Sequence, residues 1–459
     1  MQENIFDFER IEEEIEEIRQ LITDKKYSQV KAHLQEFNVA DIADIFEELE
    51  GKEIPLLFRM LGKEEAAETF ARMDSDSRKT LIEAMTDKEI KQVMDEIFLD
   101  DTVDIIEEMP ANVVSKLLRN TDEETRKQIN ELLKYPKDSA GSVMTVEYVN
   151  IKKDMTVGEA IARIRKIAVD KETIYTCYVT ENRVLIGVIT VKELLMASDD
   201  ERIIDIMEDS PISVNTHDDQ EVVAKIFKHY DFLAVPVVDN ENRLVGIVTV
   251  DDAIDVMEEE HTEDMAKMAA IMPLEEENDY FGMTVFSHAK QRILWLVVLM
   301  LSSTVSGAII TSYEAAFAAV PLLVSFIPML MGTGGNSGSQ SSTLIIRGIA
   351  LDEIRFKDLP RVIFKEFRIS ILVGAILSIL NGLRIVIFYK DITLGIVVGI
   401  SLLFTIVIAK LIGGALPMLA KKMGLDPAIM AAPLITTIVD TCSILIFFQI
   451  ATMFFHIGT

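Results

Sequence analysis

The run ILWLVVLMLSSTVSGAIIT, residues 293–311, divides this 459-residue chain into two parts of different character. The run contains no charged residue and has about the twenty residues that a helix needs to cross a bilayer. Similar apolar stretches follow near residues 320–346, 367–389, 393–419 and 427–456. We therefore predict an all-α polytopic membrane domain with five transmembrane helices over residues 292–459.

Charged residues between these stretches predict the orientation of the chain. No Lys or Arg lies between the first two stretches, whereas the loop after the second is basic, with Arg347, Arg355, Lys357, Arg361, Lys365 and Arg368. Because basic loops stay in the cytosol, we expect a multi-pass protein of the cell (inner or plasma) membrane, with the N-terminus cytosolic and the C-terminus outside. The acidic N-terminus, which lacks a signal-peptide pattern, agrees with this orientation. Arg384 and Lys390 oppose it, because they would face outward.

The residues before position 291 are strongly acidic. They carry 67 of the 75 Asp and Glu but only 33 of the 45 Lys and Arg, in a chain of formal net charge −30. Such a region lacks the basic surface that binds phosphate, so we predict no nucleic-acid partner. Cys177 and Cys442 are too few and too far apart for a disulfide framework or a cysteine zinc site.

Residues 1–137 are predicted to form an all-α N-domain of helical repeats. Apolar residues recur at helical spacing, and DIADIFEEL at residues 41–49 returns as DTVDIIEEM at residues 101–109. A weaker copy, EAAETFARM, occupies residues 65–73. Repeated helical units of this kind bury their apolar faces on their neighbours.

Residues 138–265 are predicted to be α/β and are also duplicated. ENRVLIGVIT at residues 181–190 and ENRLVGIVT at residues 241–249 each precede a helical pattern. This order of strand, Gly, strand, Thr and helix resembles CBS domains, which occur in pairs and sense small ligands. The two copies would be CBS domains at 138–200 and 201–265, followed by a connector at 266–291 that Pro273 separates from the preceding helix.

Asp440 is predicted to be the one carboxylate deep inside an apolar stretch. Charged groups in a membrane are costly, so such a residue is a functional candidate. The alternative is a structural carboxylate that hydrogen-bonds to neighbouring hydroxyls. Pairing across the axis of a dimer would instead place two carboxylates in a cation site.

A second candidate is GTGGNSGSQS, residues 332–341, which is too polar to face lipid. We expect irregular or loosely helical backbone that lines a cavity or an interface, with close helix packing as the alternative. A phosphate loop is excluded because the Lys that would follow is missing. In the stretch 426–433, Asp426 and Pro427 suit the start of a helix.

Two spacings, Gly-Gly-Asn-x-Gly-x-Gln at 334–340 and Asp-Pro-Ala-x4-Pro-x2-Thr-Thr-x2-Asp at 426–440, resemble the MgtE family of Mg2+ channels and transporters. The resemblance extends over the whole chain. It implies a homodimer in the lipid bilayer with a pore on the two-fold axis, and it makes the segment before the first span a gating plug helix. The pore metal residues would be Asp440, Thr436, Asn336 and Gly335, and Asp426 would bind metal near the outer side. Ala432 stands where some relatives have Asn, which would loosen selectivity.

The resemblance also implies regulation by cytosolic Mg2+, whose binding would draw the N-domain and the CBS pair together and close the pore. The regulatory metal residues would be Asp100, Asp104, Asp219, Glu221, Asp231, Asp252, Asp255, Glu260, Glu263 and Asp264. Tyr175, Lys192 and Phe232 would bind ATP as a modulator, with simple packing or solvent exposure as the alternative.

The function expected from the sequence is therefore a Mg2+-gated magnesium channel or transporter. A carrier of Mn2+ or Co2+ is the alternative in the same class, since oxygen sites also suit Mn2+. A membrane-anchored sensor without transport is the alternative in another class. We find no Cys–His or Ser–His pattern, and no His at metal-ligand spacing, so we predict that the protein is not an enzyme.

Overall fold

The computed structural model describes the backbone of residues 8–49, 51–272, 283–430 and 432–456. The chain forms two compact units, Met1–Glu259 and Glu260–Thr459. The first unit contains the helical N-terminal region and the α/β pair, and the second contains the apolar helices.

The N-terminal region is helical throughout its described part, as predicted. Helices α1 to α10 are Phe8–Thr23, Tyr27–Leu34, Val39–Glu47, Ile54–Phe58, Lys63–Arg72, Ser75–Ala84, Asp87–Met94, Leu99–Glu108, Ala111–Asn120 and Glu123–Leu132. Asp74, Thr86 and Asp122 cap three of these short helices by accepting hydrogen bonds from first-turn N–H groups. The two clearest sequence repeats coincide with α3 and α8.

The α/β region contains two similar sheets, which confirms the predicted duplication. Strands β1 Val149–Lys152, β2 Thr176–Glu181, β3 Val184–Thr190 and β4 Glu208–Asp209 form the first sheet in that order. Strands β5 Val214–Asn215, β6 Ala234–Val238 and β7 Leu244–Thr249 form the second. In each sheet the first pair is parallel and the next is antiparallel. The helices of this region are α11 Val157–Ile167, α12 Val191–Met196, α13 Ile203–Ile206, α14 Gln220–Tyr230 and α15 Val250–Met268.

The N-terminal region and the second sheet share one apolar core. Leu99 and Val103 of α8 and Ile129 of α10 belong to the same buried cluster as Phe227 of α14 and Val235 of β6. Burial of such side chains contributes about 1.5–3 kcal/mol each. The end of the helical region is therefore part of the CBS core.

The second unit contains α16 Val285–Ser312, α17 Glu314–Ala319, α18 Ile327–Ala350, α19 Leu359–Tyr389, α20 Ile392–Lys422 and α21 Ala432–Phe455. Among the described residues, four helical segments are long and apolar enough to cross a membrane: Val285–Ser312, Phe356–Tyr389, Ile392–Lys422 and Pro427–Phe455. Helix α18 has 24 residues, or about 36 Å at 1.5 Å per residue, but its Gly and Ser residues make it less apolar. The predicted count of five spans is thus not confirmed.

The connector predicted at 266–291 lies partly outside the described residues. Its first residues complete α15, and its residues from Val285 onward belong to α16. This helix continues without a break into the first apolar run.

Residues 332–341 form regular α-helix within α18, so the expected irregular backbone is wrong. Close packing explains the glycines. A Cβ added to Gly334 would lie 2.7 Å from Cγ2 of Thr405 in α20, and one added to Gly338 would lie 2.7 Å from Cγ2 of Ile435 in α21. A Cβ on Gly413 would lie 2.2 Å from the carbonyl oxygen of Gly338. The small residues therefore let α18, α20 and α21 approach closely.

Candidate functional site

Asp440 lies in the middle of α21 and is half-buried. Within the described part of the chain, no hydrogen bond or ion pair engages its carboxylate. The neighbouring hydroxyls bond elsewhere, since Thr436 and Thr437 donate to the carbonyl of Pro433 at 2.9 and 3.0 Å. Thr441 donates to the carbonyl of Thr437 at 3.0 Å. The alternative of a structural carboxylate satisfied by hydroxyls therefore does not fit, and the charge is left without a partner in an apolar helix.

Helix α18 packs against α21 one turn away from Asp440. A Cβ on Gly335 would lie 3.0 Å from Cγ2 of Thr436, which places the two predicted pore residues in contact. Asn336, the next residue, is exposed. The structure gives no contact between Asn336 and Asp440.

One face of α18 is both polar and exposed. Its residues recur every three or four positions, which places them on one side of the helix: Gly332, Asn336, Gln340, Thr343 and Arg347. The opposite face is buried against α20 and α21. Polar side chains at bilayer depth cannot face lipid without a large cost, so this face needs water or another protein surface.

Asp426, which the resemblance makes a metal residue near the outer side, lies between α20 and α21. Its Oδ1 accepts a hydrogen bond from the N–H of Ala428 at 2.8 Å, and its Oδ2 lies 2.7 Å from Nζ of Lys267. Lys267 is in the last turn of α15, the helix that leaves the CBS pair. Both carboxylate oxygens of Asp426 are therefore engaged within the second unit, and its role at the outer side stays a prediction.

Glu263 is also paired with Lys267, at 2.6 Å. Burial alone would lower the pKa of Lys267, but its hydrogen bonds to Asp426 and Glu263 raise this pKa above its usual value. The lysine therefore stays charged and holds two carboxylates that the sequence assigned to metal.

A dense group of carboxylates lies within the first unit and includes three predicted regulatory residues, Asp100, Asp104 and Asp252. The structure adds Asp101 of α8, Asp251 of α15, and the loop residues Glu147 and Glu172. We call these seven residues the acid cluster. The backbone N–H of Glu172 donates to the carbonyl of Glu147 at 3.0 Å, which joins the two loops.

The acid cluster holds protons more tightly than isolated carboxyls do. Burial first, and then the charges of Asp252 and Asp101, raise the pKa of Asp100 well above its usual value. The same causes raise the pKa of Asp104 to about 8 and that of Glu172 to about 8. Burial raises the pKa of Asp252 only to about 6, because Thr249 donates hydrogen bonds to its carboxylate.

Two oxygens of the acid cluster are buried without a hydrogen-bond partner, Oδ1 of Asp100 and Oε2 of Glu172. Asp104 keeps exposed surface despite its raised pKa, so these two oxygens identify the site better. Hard divalent cations prefer carboxylate ligands. A divalent cation bound by the acid cluster would reduce the repulsion between its carboxylates and would give the two unpartnered oxygens a ligand.

The other predicted regulatory residues have local roles or lie elsewhere. Asp219 caps α14 by accepting from the N–H of Glu221 at 2.8 Å, and Glu221 pairs with Lys225 at 2.5 Å. Asp231 ends α14 in a left-handed conformation with φ 55°. Asp255 follows Asp252 by one turn of α15, whereas Glu260, Glu263 and Asp264 belong to the second unit.

The predicted nucleotide residues are only partly brought together. The carbonyl of Tyr175 accepts a hydrogen bond from the N–H of Val191 at 3.0 Å, which places the 67 % exposed Tyr175 beside Lys192. Phe232 belongs to the other CBS domain and stacks on Tyr230, with ring centroids 5.3 Å apart. The structure gives no contact between Phe232 and the first two residues.

Sequence reasoning missed one His group. Glu14, Glu17 and His33 bring potential ligand atoms within 4.8 Å of one another. Nε2 of His33 lies 2.8 Å from Oε2 of Glu14, and this hydrogen bond between α1 and α2 accounts for the arrangement. A spacing of nineteen residues between His33 and Glu14 gives no metal signal in the sequence.

It also missed two charged residues inside the helical bundle, Glu366 of α19 and Lys410 of α20, each 6 % exposed. Asp440 is therefore not the one buried acid of the membrane unit. Glu366 was not counted as an acid within a span, because the third span was predicted to begin at residue 367. In the structure, α19 begins at Leu359 and contains Glu366.

Comparison with protein families gives three matches. The family described as "MgtE: Divalent cation transporter" matches residues 327–450, and the "MgtE intracellular N domain" matches residues 37–138. The CBS domain matches residues 140–200 and 203–259.

Two relatives cover nearly the whole chain. "Magnesium transporter MgtE" of Bacillus subtilis is 35 % identical over 437 residues, which are 95 % of this chain and 96 % of the relative. The protein of the same name from Thermus thermophilus is 36 % identical over 425 residues, or 92 % and 94 % of the two chains.

Among solved structures, the soluble part of a magnesium transporter matches with TM-score 0.51 and 32 % identity, and covers 55 % of this chain and 99 % of its own. The cytosolic domain of the Mg2+ channel MgtE in complex with ATP matches with TM-score 0.50 and 33 % identity, and covers 53 % and 99 %.

Proposed function

Because this chain belongs to the MgtE family of divalent cation transporters, we propose that it conducts Mg2+ across the cell membrane under the control of cytosolic Mg2+. The observation that carries the proposal is the unpartnered carboxylate of Asp440 beside an exposed polar face of α18. Two relatives of nearly equal length are named magnesium transporters, which supports Mg2+ as the ion.

In the proposed pore, two copies of the chain meet so that the polar faces of α18 and the two Asp440 side chains line a common axis. A second copy would remove this face from lipid and give each Asp440 a cation to neutralise. The chain would cross the membrane five times, with α18 as the second span, a cytosolic N-terminus and an outer C-terminus.

The proposed ion remains hydrated. Mg2+ prefers octahedral geometry and loses water reluctantly. One carboxylate from each subunit cannot replace six waters, but it can hydrogen-bond to them, with Thr436 and Asn336 as polar neighbours. Binding of this strength still allows the ion to leave, which conduction requires.

The proposed sensor is the acid cluster. When cytosolic Mg2+ is low, the carboxyls from α8, α15 and the two CBS loops repel one another where they are ionised and hold protons where they are not. Bound Mg2+ would displace these protons and remove this repulsion. Mg2+ therefore favours the compact arrangement of the first unit, which we assign to the closed state, because a ligand stabilises the state that it binds better. ATP would bind on the CBS pair near Tyr175 and Lys192, as the ATP complex of a related cytosolic domain suggests.

The test is ion flux through the full-length protein in liposomes. We expect Mg2+ flux that falls as the Mg2+ concentration rises on the side of the cytosolic unit. Added Mn2+ or Co2+ should reduce this Mg2+ flux only weakly. If Mn2+ or Co2+ were carried in preference to Mg2+, that ion would be the transported one and the assignment of Mg2+ would be wrong. Absence of any divalent flux, with folded protein in the membrane, would favour a sensor without transport.

A further inference from the structure

A buried chain of polar groups joins three helices of the membrane unit. The hydroxyl of Ser341 in α18 donates to Oε2 of Glu366 in α19 at 2.6 Å. The same hydroxyl accepts a hydrogen bond from Nζ of Lys410 in α20 at 3.2 Å. Ser341 is 1 % exposed, so solvent cannot replace either bond.

The geometry points to a role for this chain in placing α18. We propose that Lys410 and Glu366 are positioning residues for ion conduction, which hold the pore-lining helix α18 in its rotational setting through Ser341. The inference rests on the proposed function, because it gives α18 the role of lining the pore. It adds two residues, on α19 and α20, that would not touch the ion.

The rotation of α18 about its axis matters for the pore because Ser341, which makes these hydrogen bonds, lies next to the polar face of the helix. Gln340 precedes Ser341 and belongs to the exposed polar face, which also contains Asn336 one turn earlier. Successive residues of a helix are about 100° apart. A rotation of α18 that broke the bonds of Ser341 would therefore also turn Gln340 and Asn336 away from their present direction.

Two glycines bring α20 close to α18 and to α19 at the level of Lys410. Gly413 and Gly414 lie one turn after Lys410. A Cβ on Gly413 would lie 2.2 Å from the carbonyl oxygen of Gly338 in α18, and one on Gly414 would lie 3.2 Å from Cγ of Glu366 in α19. The close contacts of α20 with α18 and with α19 therefore depend on glycine at positions 413 and 414.

The charged side chains of Lys410 and Glu366 suit a role in orienting α18 better than a role in holding the helices together. Apolar residues of similar volume often pack as stably as buried charged side chains, whereas the two hydrogen bonds of Ser341 to Glu366 and Lys410 require one arrangement. Loss of one partner leaves the other charge buried alone. The side chain of Lys410 donates its hydrogen bond to Ser341, and a lysine ammonium offers no acceptor to a metal. An effect of this residue on ion selectivity would therefore have to act through α18.

The test compares Lys410→Met, Glu366→Gln and Ser341→Ala with wild type in full-length protein. Ser401→Ala is the matched control, because the buried hydroxyl of Ser401 in α20 donates only to the carbonyl of Val397 in its own helix, at 2.7 Å. Mg2+ flux per folded molecule and the Mn2+-to-Mg2+ flux ratio are measured in liposomes. Thermal melting in detergent reports the folded fraction.

We expect Lys410→Met and Glu366→Gln to lower flux about tenfold and to change the flux ratio at least threefold. Ser341→Ala should have a smaller effect in the same direction, and Ser401→Ala should match wild type. The double variant Lys410→Met with Glu366→Gln should melt closer to wild type than either single variant but should keep the altered flux ratio. Flux that falls only with the folded fraction, at an unchanged flux ratio, would overturn the inference.

A distance measurement separates this inference from the proposed function. Spin labels at Thr343→Cys on α18 and Ile379→Cys on α19, in a background without Cys177 and Cys442 and with labelled protomers diluted, report the setting of α18. The distance distribution should shift or broaden in Lys410→Met but not in Ser401→Ala, even if wild type proved unable to carry Mg2+. An unchanged distribution in Lys410→Met would reject the positioning role whatever the flux.

Discussion

Asp440 and the acid cluster present carboxylates in opposite ways. Asp440 stands alone on α21, with its neighbouring hydroxyls bonded to backbone carbonyls. In the acid cluster, seven carboxylates crowd together, and two of their buried oxygens have no partner. One isolated charge binds a hydrated ion weakly enough to release it, whereas crowded charges require a cation before they can pack closely. The comparison distinguishes a site of passage from a site of sensing.

The largest expected effect is at the site of passage. Asp440→Asn should lower Mg2+ flux about 100-fold, because a hydrogen bond to a charged group contributes about 1.5–3 kcal/mol and about 1.4 kcal/mol is a factor of ten. Flux into liposomes is the measurement. Asp352→Asn, at a surface ion pair with Arg355, is the control and should keep wild-type flux. Equal flux in the two variants would remove Asp440 from the pore.

The next effect concerns the sensing site. In Asp100→Asn with Glu172→Gln, the Mg2+ concentration that halves the flux should rise about tenfold. These substitutions remove two of the proposed Mg2+ ligands, so more Mg2+ is needed to close the pore. Glu124→Gln on the exposed side of α10 serves as the control. An unaltered Mg2+ response in the double variant would place the sensor elsewhere.

Proton competition should appear at the acid cluster alone. Glu172, with a pKa raised to about 8, holds a proton at neutral pH in the absence of Mg2+. A raised carboxyl pKa stabilises the fold below the unfolded pKa near 4, and this stability is lost as pH rises through about 8. Mg2+ should offset the loss, so its affinity should increase about fivefold between pH 6 and pH 8.5, with proton release. Calorimetry in buffers of different ionisation enthalpy measures both quantities, and affinity independent of pH would contradict the assignment.

The smallest effect is expected at the ion pair of Lys267 and Asp426. Partly exposed pairs contribute about 0.2–1 kcal/mol, so Asp426→Asn should change flux about twofold. The exchange Lys267→Asp with Asp426→Lys should return flux toward wild type, since it keeps one charge of each sign. If the exchange were as impaired as the sum of its single variants, the contact would have no functional role.

Much of the fold was predictable because it depends on local pattern. The duplicated strands of the α/β region and the repeats within α3 and α8 follow directly from periodicity. The beginning of α16 was not predictable from hydropathy, since its first two turns from Val285 include polar and charged residues. Tertiary packing explains α18, where contacts with α20 and α21 maintain regular helix despite the low helix propensity of glycine.

The candidate sites were less predictable, because they depend on contacts between distant segments. Asp440 was found from its apolar neighbours alone. Glu147 and Glu172 lie in separate loops, and only the folded α/β unit brings them to α8. The metal role of Asp426 came from the resemblance and stays a prediction, whereas its ion pair with Lys267 depends on a contact that the sequence does not show.

The apolar core that α8 and α10 share with the second sheet limits how the first unit can respond when its cations leave. Leu99, Val103 and Ile129 would all have to enter water if these helices detached. At about 1.5–3 kcal/mol for each side chain, detachment would be costly. We therefore expect loss of Mg2+ to loosen the loops around Glu147 and Glu172 while α8 stays packed against the second sheet. Only the loop side of the sensor would then move between its two states.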